Sequence, residues 1–155
     1  MSDNIIIRPA VIADISALVR LAHELAESEG EQSLISASVL LADCFEDKTH
    51  AYLVAQQAEE IVGFVMYYAG YDLQSASRGV HLGDICVTKS ARRQGVGRML
   101  VAELGQRILA DGGEWVSWTM LKGNVEAREF YKKLGAKKVR DVEFWALGKS
   151  KMGQK

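Results

Sequence analysis

This sequence predicts an α/β fold built on one mixed sheet, and three observations predict it. Short apolar runs of strand length alternate with segments whose apolar residues recur every three or four positions. One transition, from a strand near residue 87 to a helix near residue 97, passes through a turn holding Gly95 and Gly97. The chain of 155 residues suits one domain with a sizeable core, and no repeat, low-complexity stretch or Pro/Ser-rich linker divides it. The expected organisation is a single domain over 1–148 and a flexible tail over 149–155.

Ile5, Ile6 and Ile7 read as a first strand closed by Arg8 and Pro9, the only proline. Asp14 is a residue type that caps helices, and the stripe Ile15, Leu18, Val19, Ala22, Leu25 follows it. A shorter helix is expected around 37–45, then a strand over 51–56. The strand from 61 to about 71 is apolar on both faces, with Val62, Phe64 and Met66 against Ile61, Val65 and Tyr67, so it should be central. The next strand covers 81–87, with His81 at its start. Val96, Leu100, Leu104 and Ile108 then set a helix that stops at Gly112 and Gly113. A strand over 114–121 carries Trp115 and Trp118. Asn124 caps a helix bearing Ala127, Phe130, Tyr131 and Leu134, ended by Gly135. A final strand is expected over 142–147.

The formal charge of −1 gives no long-range attraction to nucleic acid or anionic membrane. No apolar run is long enough to span a bilayer, and the first residues lack the charged and apolar regions of a signal peptide. Cys44 and Cys86 lie far apart and match neither a disulfide framework nor a metal spacing. A reduced cytoplasmic setting, with no metal, is the expectation.

The turn Arg92-Arg93-Gln94-Gly95-Val96-Gly97 is the strongest chemical signal. The first N–H groups of a helix have no intrahelical partner, and the helix dipole adds partial positive charge there. Glycines let an anion approach the backbone closely, and Arg92, Arg93 and Arg98 add formal charge. No Ser, Thr, Asp or Asn stands at the expected cap, so an anion or a glycine takes that place. A plain surface turn whose glycines only reverse the chain is the competing explanation. The Gly-Lys-Ser/Thr ending of a P-loop is absent, and Leu100 stands where a dinucleotide fingerprint needs a third glycine.

These residues resemble the GNAT superfamily of N-acetyltransferases, whose signature Arg/Gln-x-x-Gly-x-Gly/Ala is met by Arg92 to Gly97. Asn124-Val125-Glu126-Ala127-Arg128-Glu129-Phe130-Tyr131-Lys132-Lys133-Leu134-Gly135-Ala136 is similar to the superfamily's second motif, and Ile7-Arg8-Pro9-Ala10 with Asp14 to its start. Together they cover roughly residues 5–147. Ile61-Val62-Gly63-Phe64-Val65-Met66-Tyr67-Tyr68, with Tyr71 and Asp72, resembles the diamine (spermidine/spermine) branch.

The resemblance implies a mostly antiparallel sheet flanked by helices, acetyl-CoA as co-substrate, a small-molecule amine acceptor and a homodimer. It implies direct attack by the amine on the thioester in a ternary complex. Two other readings stay open, a protein or peptide N-acetyltransferase and a non-catalytic acyl-CoA-binding module. The strand before the turn would splay from its neighbour, and backbone at Ile85, Cys86 and Val87 would meet the pantetheine arm and the thioester oxygen. Arg92, Arg93, Gln94, Gly95, Val96, Gly97 and Arg98 would hold the phosphates, with Asn124, Ala127 and Tyr131 completing the cofactor site. Tyr131 is either the general acid for the leaving thiolate or a core tyrosine. Asn124 caps its helix and can also touch the cofactor.

At the base position Gly83 stands where the diamine branch has glutamate, and Asp84 keeps the neighbouring carboxylate. Alternation along a strand would put these two on opposite faces. Asp84 then acts through water or binds substrate charge. Glu29, Tyr67, Tyr71 and Asp72 are candidates for the acceptor pocket. His81, read as a strand-start residue, is the weaker base candidate, and Cys86 reads as a buried strand cysteine without a nucleophile's partners.

Overall fold

A computed structural model describes residues 4–154, and the chain falls into two compact units, residues 1–119 and 120–155. In the first, the order is β1 (Ile5–Pro9), α1 (Ile15–Ser28), α2 (Ala37–Leu40), β2 (Ala51–Gln57), β3 (Glu60–Asp72), β4 (Ser77–Val87), α3 (Val96–Ala110) and β5 (Trp115–Ser117). A π-turn over Leu41–Glu46 extends α2. The sheet order is β1-β2-β3-β4-β5, antiparallel up to β4 and parallel between β4 and β5. The expected α/β architecture is therefore present, and β3 is its central strand.

Leu53, Val54 and Ala55 of β2 are fully buried, because helices cover both faces of the sheet. On one face the four-residue repeat of α3, Val96, Leu100, Leu104 and Ile108, packs on Leu53, Val65, Val80 and Leu82. On the other, Ile15, Leu18 and Leu21 of α1 pack with Leu40, Val54, Phe64 and Cys86. Burying each such side chain contributes about 1.5–3 kcal/mol.

Three local expectations are corrected. Asp14 precedes α1 but makes no side-chain cap bond to it. Its carboxylate instead accepts from the Arg8 guanidinium (2.7 and 2.9 Å) and from the Val11 N–H (2.8 Å). The bonds from Arg8 hold the carboxyl below the usual range. Asp14 thus locks β1 to the start of α1. The strand expected over 114–121 is confined to Trp115–Ser117. Finally, β4 begins at Ser77, so His81 lies inside the strand and not at its start.

In the second unit, α4 spans Val125–Lys133. Asn124 caps it as predicted, its Oδ1 accepting from the Ala127 N–H at 3.0 Å. Gly135, with φ +86°, closes it: the Gly135 N–H reaches Lys132 O and the Ala136 N–H reaches Tyr131 O, a Schellman ending. The described residues over 142–147 form no strand. Val142, Phe144 and Trp145 express a side-chain preference, but a strand exists only where a ladder partner satisfies its backbone.

Candidate active site

The site begins with β4, whose two halves differ. Gly79, Val80 and His81 pair with Trp115, Val116 and Ser117 of β5, and the pairing stops there. Beyond His81, β4 runs on to Val87 bonded to β3 alone among the described pairs. The ladder fixes which backbone groups face the open side. Thr88 N–H donates to Val62 O on β3 at 2.8 Å, so by alternation the N–H and C=O of Val87 and the N–H of Ile85 face away from β3. Arg92 agrees with this, its Nε donating to Val87 O at 3.0 Å. The Cys86 backbone faces β3, its oxygen lying 2.7 Å from where a Cβ on Gly63 would sit. Ile85 and Val87 therefore turn their amides to the edge away from β3, and Cys86 does not.

The chain then turns into α3. Gly95 is the N-cap, with φ +79°, and no side chain caps the helix. A side chain at this φ is strained. A Cβ there would meet no atom within 4 Å, so the space over the helix N-terminus is open. Arg93 also adopts a left-handed φ of +62°. Arg92, Arg93, Gln94 and Arg98 are exposed around the turn, while Val96 is buried and anchors it to the core. Gln94 Nε2 donates to Ser90 O at 3.3 Å, which stiffens the loop. Free N–H groups, an open approach and ringed arginines fit a polyphosphate.

Sequence reading missed a tether behind the turn. Glu24 of α1 accepts from Thr88 Oγ1 (3.1 and 3.0 Å) and from the Lys89 N–H (3.2 Å). It holds the end of β4 against α1. Nothing short of the tertiary fold reveals this contact, because the partners are separated by more than sixty residues.

The acceptor face needs a correction at Gly83 and Asp84. Met66 pairs with Asp84 and Tyr67 with Leu82, so Gly83 is an extra residue in β4, a β-bulge. A Cβ on Gly83 would lie 2.5 Å from Met66 Cε, and Met66 packs on the α1 side. Asp84, directly opposite Met66, shares that side. Both positions thus face the α1 side, against the alternation expected of a regular strand. Met66 fills the space a side chain at 83 would take.

Asp84 is open to solvent on one side, yet burial, and then the charge of Glu29, push its carboxyl above the usual range. Tyr52 and Tyr68 also lie on this side; burial raises the Tyr52 phenol to about 12. Tyr67 points the other way, against the α3 core. Tyr71 pairs with Arg78, whose guanidinium reaches Asp111 O at the end of α3, so Tyr71 lies away from Asp84. Asp72 accepts from Ser75 in the β3–β4 turn. Among the candidate acceptor residues, the charge of Glu29 is coupled to Asp84.

Cys86 is buried, donates to Leu21 O at 3.5 Å, and has its thiol pushed up to about 11 by burial and by Glu24. A thiol so placed is a poor nucleophile. Tyr131 and Phe130 of α4 contact edge to face, with centroids 5.3 Å apart, and Tyr131 is half-buried within its own unit. Asn124 and Ala127 form the first turn of the same helix.

An open strand edge running into a glycine-led helix N-terminus suits a ligand that joins an extended polar arm to a polyphosphate. Residues 17–136 match the Acetyltransferase (GNAT) family, and the chain belongs to it: it is an N-acetyltransferase. A thialysine N-epsilon-acetyltransferase of Bos taurus is 32% identical over 152 residues, covering 91% of this chain and 89% of that protein. An L-ornithine N5-acetyltransferase of Arabidopsis thaliana is 30% identical over 76 residues, 49% of this chain and 33% of that one. In fold, the chain is similar to an aminoglycoside acetyltransferase from an uncultured soil metagenomic sample, with TM-score 0.77, 20% identity, and 93% and 97% of the two chains covered.

Proposed function

We propose that this enzyme moves the acetyl group of acetyl-CoA to the terminal primary amine of a small cationic acceptor of the diamino-acid or diamine class. The observation that carries this reading is the open β4 edge at Ile85 and Val87 leading into the Gly95-capped turn, with Asp84 beside it. The relatives named for thialysine and ornithine support the acceptor class, since both names specify an amino acid with a second, side-chain amine.

In this account the N–H groups of Val96, Gly97 and Arg98 and the side chains of Arg92, Arg93, Gln94 and Arg98 hold the pyrophosphate. Ile85 and Val87 bind the pantetheine arm and the thioester oxygen through backbone N–H groups. Donors aimed at a developing oxyanion are worth about 2.7–4 kcal/mol each in other acyl transfers. Asp84, with Glu29 behind it, receives the acceptor's ammonium and sets it facing the thioester. Tyr131 protonates the leaving thiolate, and Asn124 and Ala127 carry the cofactor contacts of α4. The amine attacks directly in a ternary complex, because the buried Cys86 offers no covalent relay. We further propose a homodimer in a reducing cytoplasm; the free, buried Cys44 and Cys86 support the second part. Among the described residues no helix is long and apolar enough to cross a membrane.

The test is an amine and peptide panel read by acetyl-CoA-dependent thiol release. Lysine- and ornithine-like amines should lead. A peptide surpassing every small amine would overturn the acceptor assignment. Tyr131→Phe should lower kcat with acetyl-CoA affinity retained; an unchanged kcat removes its acid role.

A further inference from the structure

The acceptor proposed above has two ends, and only its reacting amine has a place so far. The α1 side of the sheet offers a row that leads away from that place. Tyr52 of β2 pairs with Met66 of β3, and Met66 pairs with Asp84 of β4, so the three share one rung and one face. Asp84 stands on the strand with the open edge, and Tyr52 lies two strands further in. Neighbouring strands are about 4.8 Å apart, which puts roughly 9–10 Å between the two ends of the row. The extended side chain of a diamino acid, from its terminal nitrogen to the α-carboxyl carbon, spans roughly 7–8 Å.

At its Tyr52 end the row meets a cavity of about 580 Å³, within the usual range of small-molecule sites. The cavity opens where β2 begins at Ala51, opposite Tyr67, while β3 and β4 run on past that point. Two of its lining residues reach back toward Asp84. The Tyr68 ring lines the cavity and also lies 3.6 Å from the Cβ position at Gly83, the residue before Asp84. Tyr52 lines it too; its phenol, pushed up chiefly by burial and then by Cys44, also feels the charge of Asp84. Tyr52 thus keeps an O–H to donate.

Lys48, Thr49 and His50, which lead into β2, form another part of the lining. Thr49 fixes this segment, its N–H and its Oγ1 both donating to Asp43 O at 2.9 Å. The His50 ring packs edge to face on Tyr52, with centroids 5.3 Å apart, and its Nδ1 lies 2.9 Å from Thr49 Oγ1. Among the described residues Lys48 makes no ion pair. Arg78 also lines the cavity, but it is engaged by Asp111 O at 3.2 Å. An anchored segment carrying an unpaired cation, beside a phenol O–H, suits a carboxylate.

We infer that this cavity is the distal subsite for the acceptor and takes the α-amino-acid head group, its carboxylate meeting Lys48, His50 and Tyr52; this rests on the function proposed above. The reacting ammonium sits at Asp84 and the methylenes between the two ends cross Met66. Met66 is half-buried and flexible, an apolar floor for those methylenes, and its methyl fills the place of a side chain at Gly83. The exposed Tyr68 ring offers its face to the α-ammonium. The row thus runs away from the thioester, so the head group never competes for the open edge of β4. The enzyme is then selective for diamino acids over diamines of equal length, because a diamine leaves Lys48 and the Tyr52 hydroxyl without the carboxylate.

The experiment compares kcat/KM for acceptors that differ only in the carboxylate: lysine against 1,5-diaminopentane, and ornithine against 1,4-diaminobutane. Lysine amide, which keeps the shape and removes the negative charge, is the third probe. Wild type, Lys48→Gln, His50→Phe and Tyr52→Phe are measured, with a urea midpoint for each. The wild type should favour the amino acid over the diamine by about 10–100-fold, and lysine amide should behave like the diamine. Lys48→Gln should lower that ratio by about 3–10-fold, through a higher KM for the amino acid. Lys48 is exposed, so its replacement should leave the urea midpoint in place. His50→Phe and Tyr52→Phe should lower the ratio in the same direction. A wild type that takes the diamine or lysine amide as readily as the amino acid overturns the subsite. A ratio that all three variants leave intact overturns it as well. A wild type that binds acetyl-CoA but acetylates none of these amines removes the proposed function itself, a result distinct from either.

Discussion

The two halves of β4 are one strand doing opposite things. From Gly79 to His81 it is paired on both sides, and the Trp115 indole lies over Gly79. From residue 82 to Val87 it keeps β3 and, among the described residues, pairs with no second strand, and it ends in a turn where Gly95 leaves space unfilled. The same residue type therefore has two roles. Gly79 is small so that protein can close over it, whereas Gly95 is small so that something else can approach. Stability is expected to reside in the first half and ligand affinity in the second.

Breaking the closed half should give the largest effect. A Cβ at Gly79 would fall 2.1 Å from Trp115 Cδ2, an impossible contact with a ring held by Ser77. Gly79→Ala should destabilise the fold by about 3 kcal/mol, read as a lower urea midpoint. An unchanged midpoint would show that β5 is not clamped there.

The open half should respond differently. Gly95→Val places a branched side chain at φ +79° over the helix N-terminus. Its cost should appear mainly in binding, with acetyl-CoA affinity lower by about 10–100-fold. Strain adds about 1–2 kcal/mol to the stability cost. A variant that loses stability but keeps affinity would erase the distinction between the halves.

A smaller effect should follow from Glu24→Gln. The amide can still accept from Thr88 or Lys89 but loses the charge-assisted bonds of the carboxylate. Acetyl-CoA affinity should fall by about 3–10-fold, equivalent to roughly 1 kcal/mol. Calorimetry that finds the affinity untouched would detach α1 from the site.

The Asp14–Arg8 pair sharpens the contrast from outside β4, being structural and far from the open edge in the sheet order. Because the Asp14 carboxyl is held below its ordinary value, its contribution is complete above about pH 4 and is lost as pH falls through the depressed value. Asp14→Asn should remove that acid-limb component in pH-dependent unfolding. It should leave acetyl-CoA binding unchanged.

What the sequence made legible follows period and residue type. The α3 spacing, the glycine-led turn and the Asn124 cap depend on local physics, and the structure shows each. The face shared by Gly83 and Asp84 was hidden because one extra residue in β4 reverses alternation, and only the pairing with Met66 reveals it. His81 was misjudged for a related reason. Ser77, Arg78 and Gly79 carry no strand signal of their own, and β4 reaches back to Ser77 where Trp115, more than thirty positions away, packs over Gly79. Asp14 and Glu24 bond across elements, so neither partner could be read from its neighbours.

The central claim is that the free edge of β4 and the N-terminus of α3 form one acetyl-CoA site. Backbone amide NMR during an acetyl-CoA titration tests it most directly. The amides of Ile85, Val87, Val96, Gly97 and Arg98 should shift most, while those of Gly79, Val80 and His81 move far less. Saturable binding that leaves the first group unmoved would contradict the account.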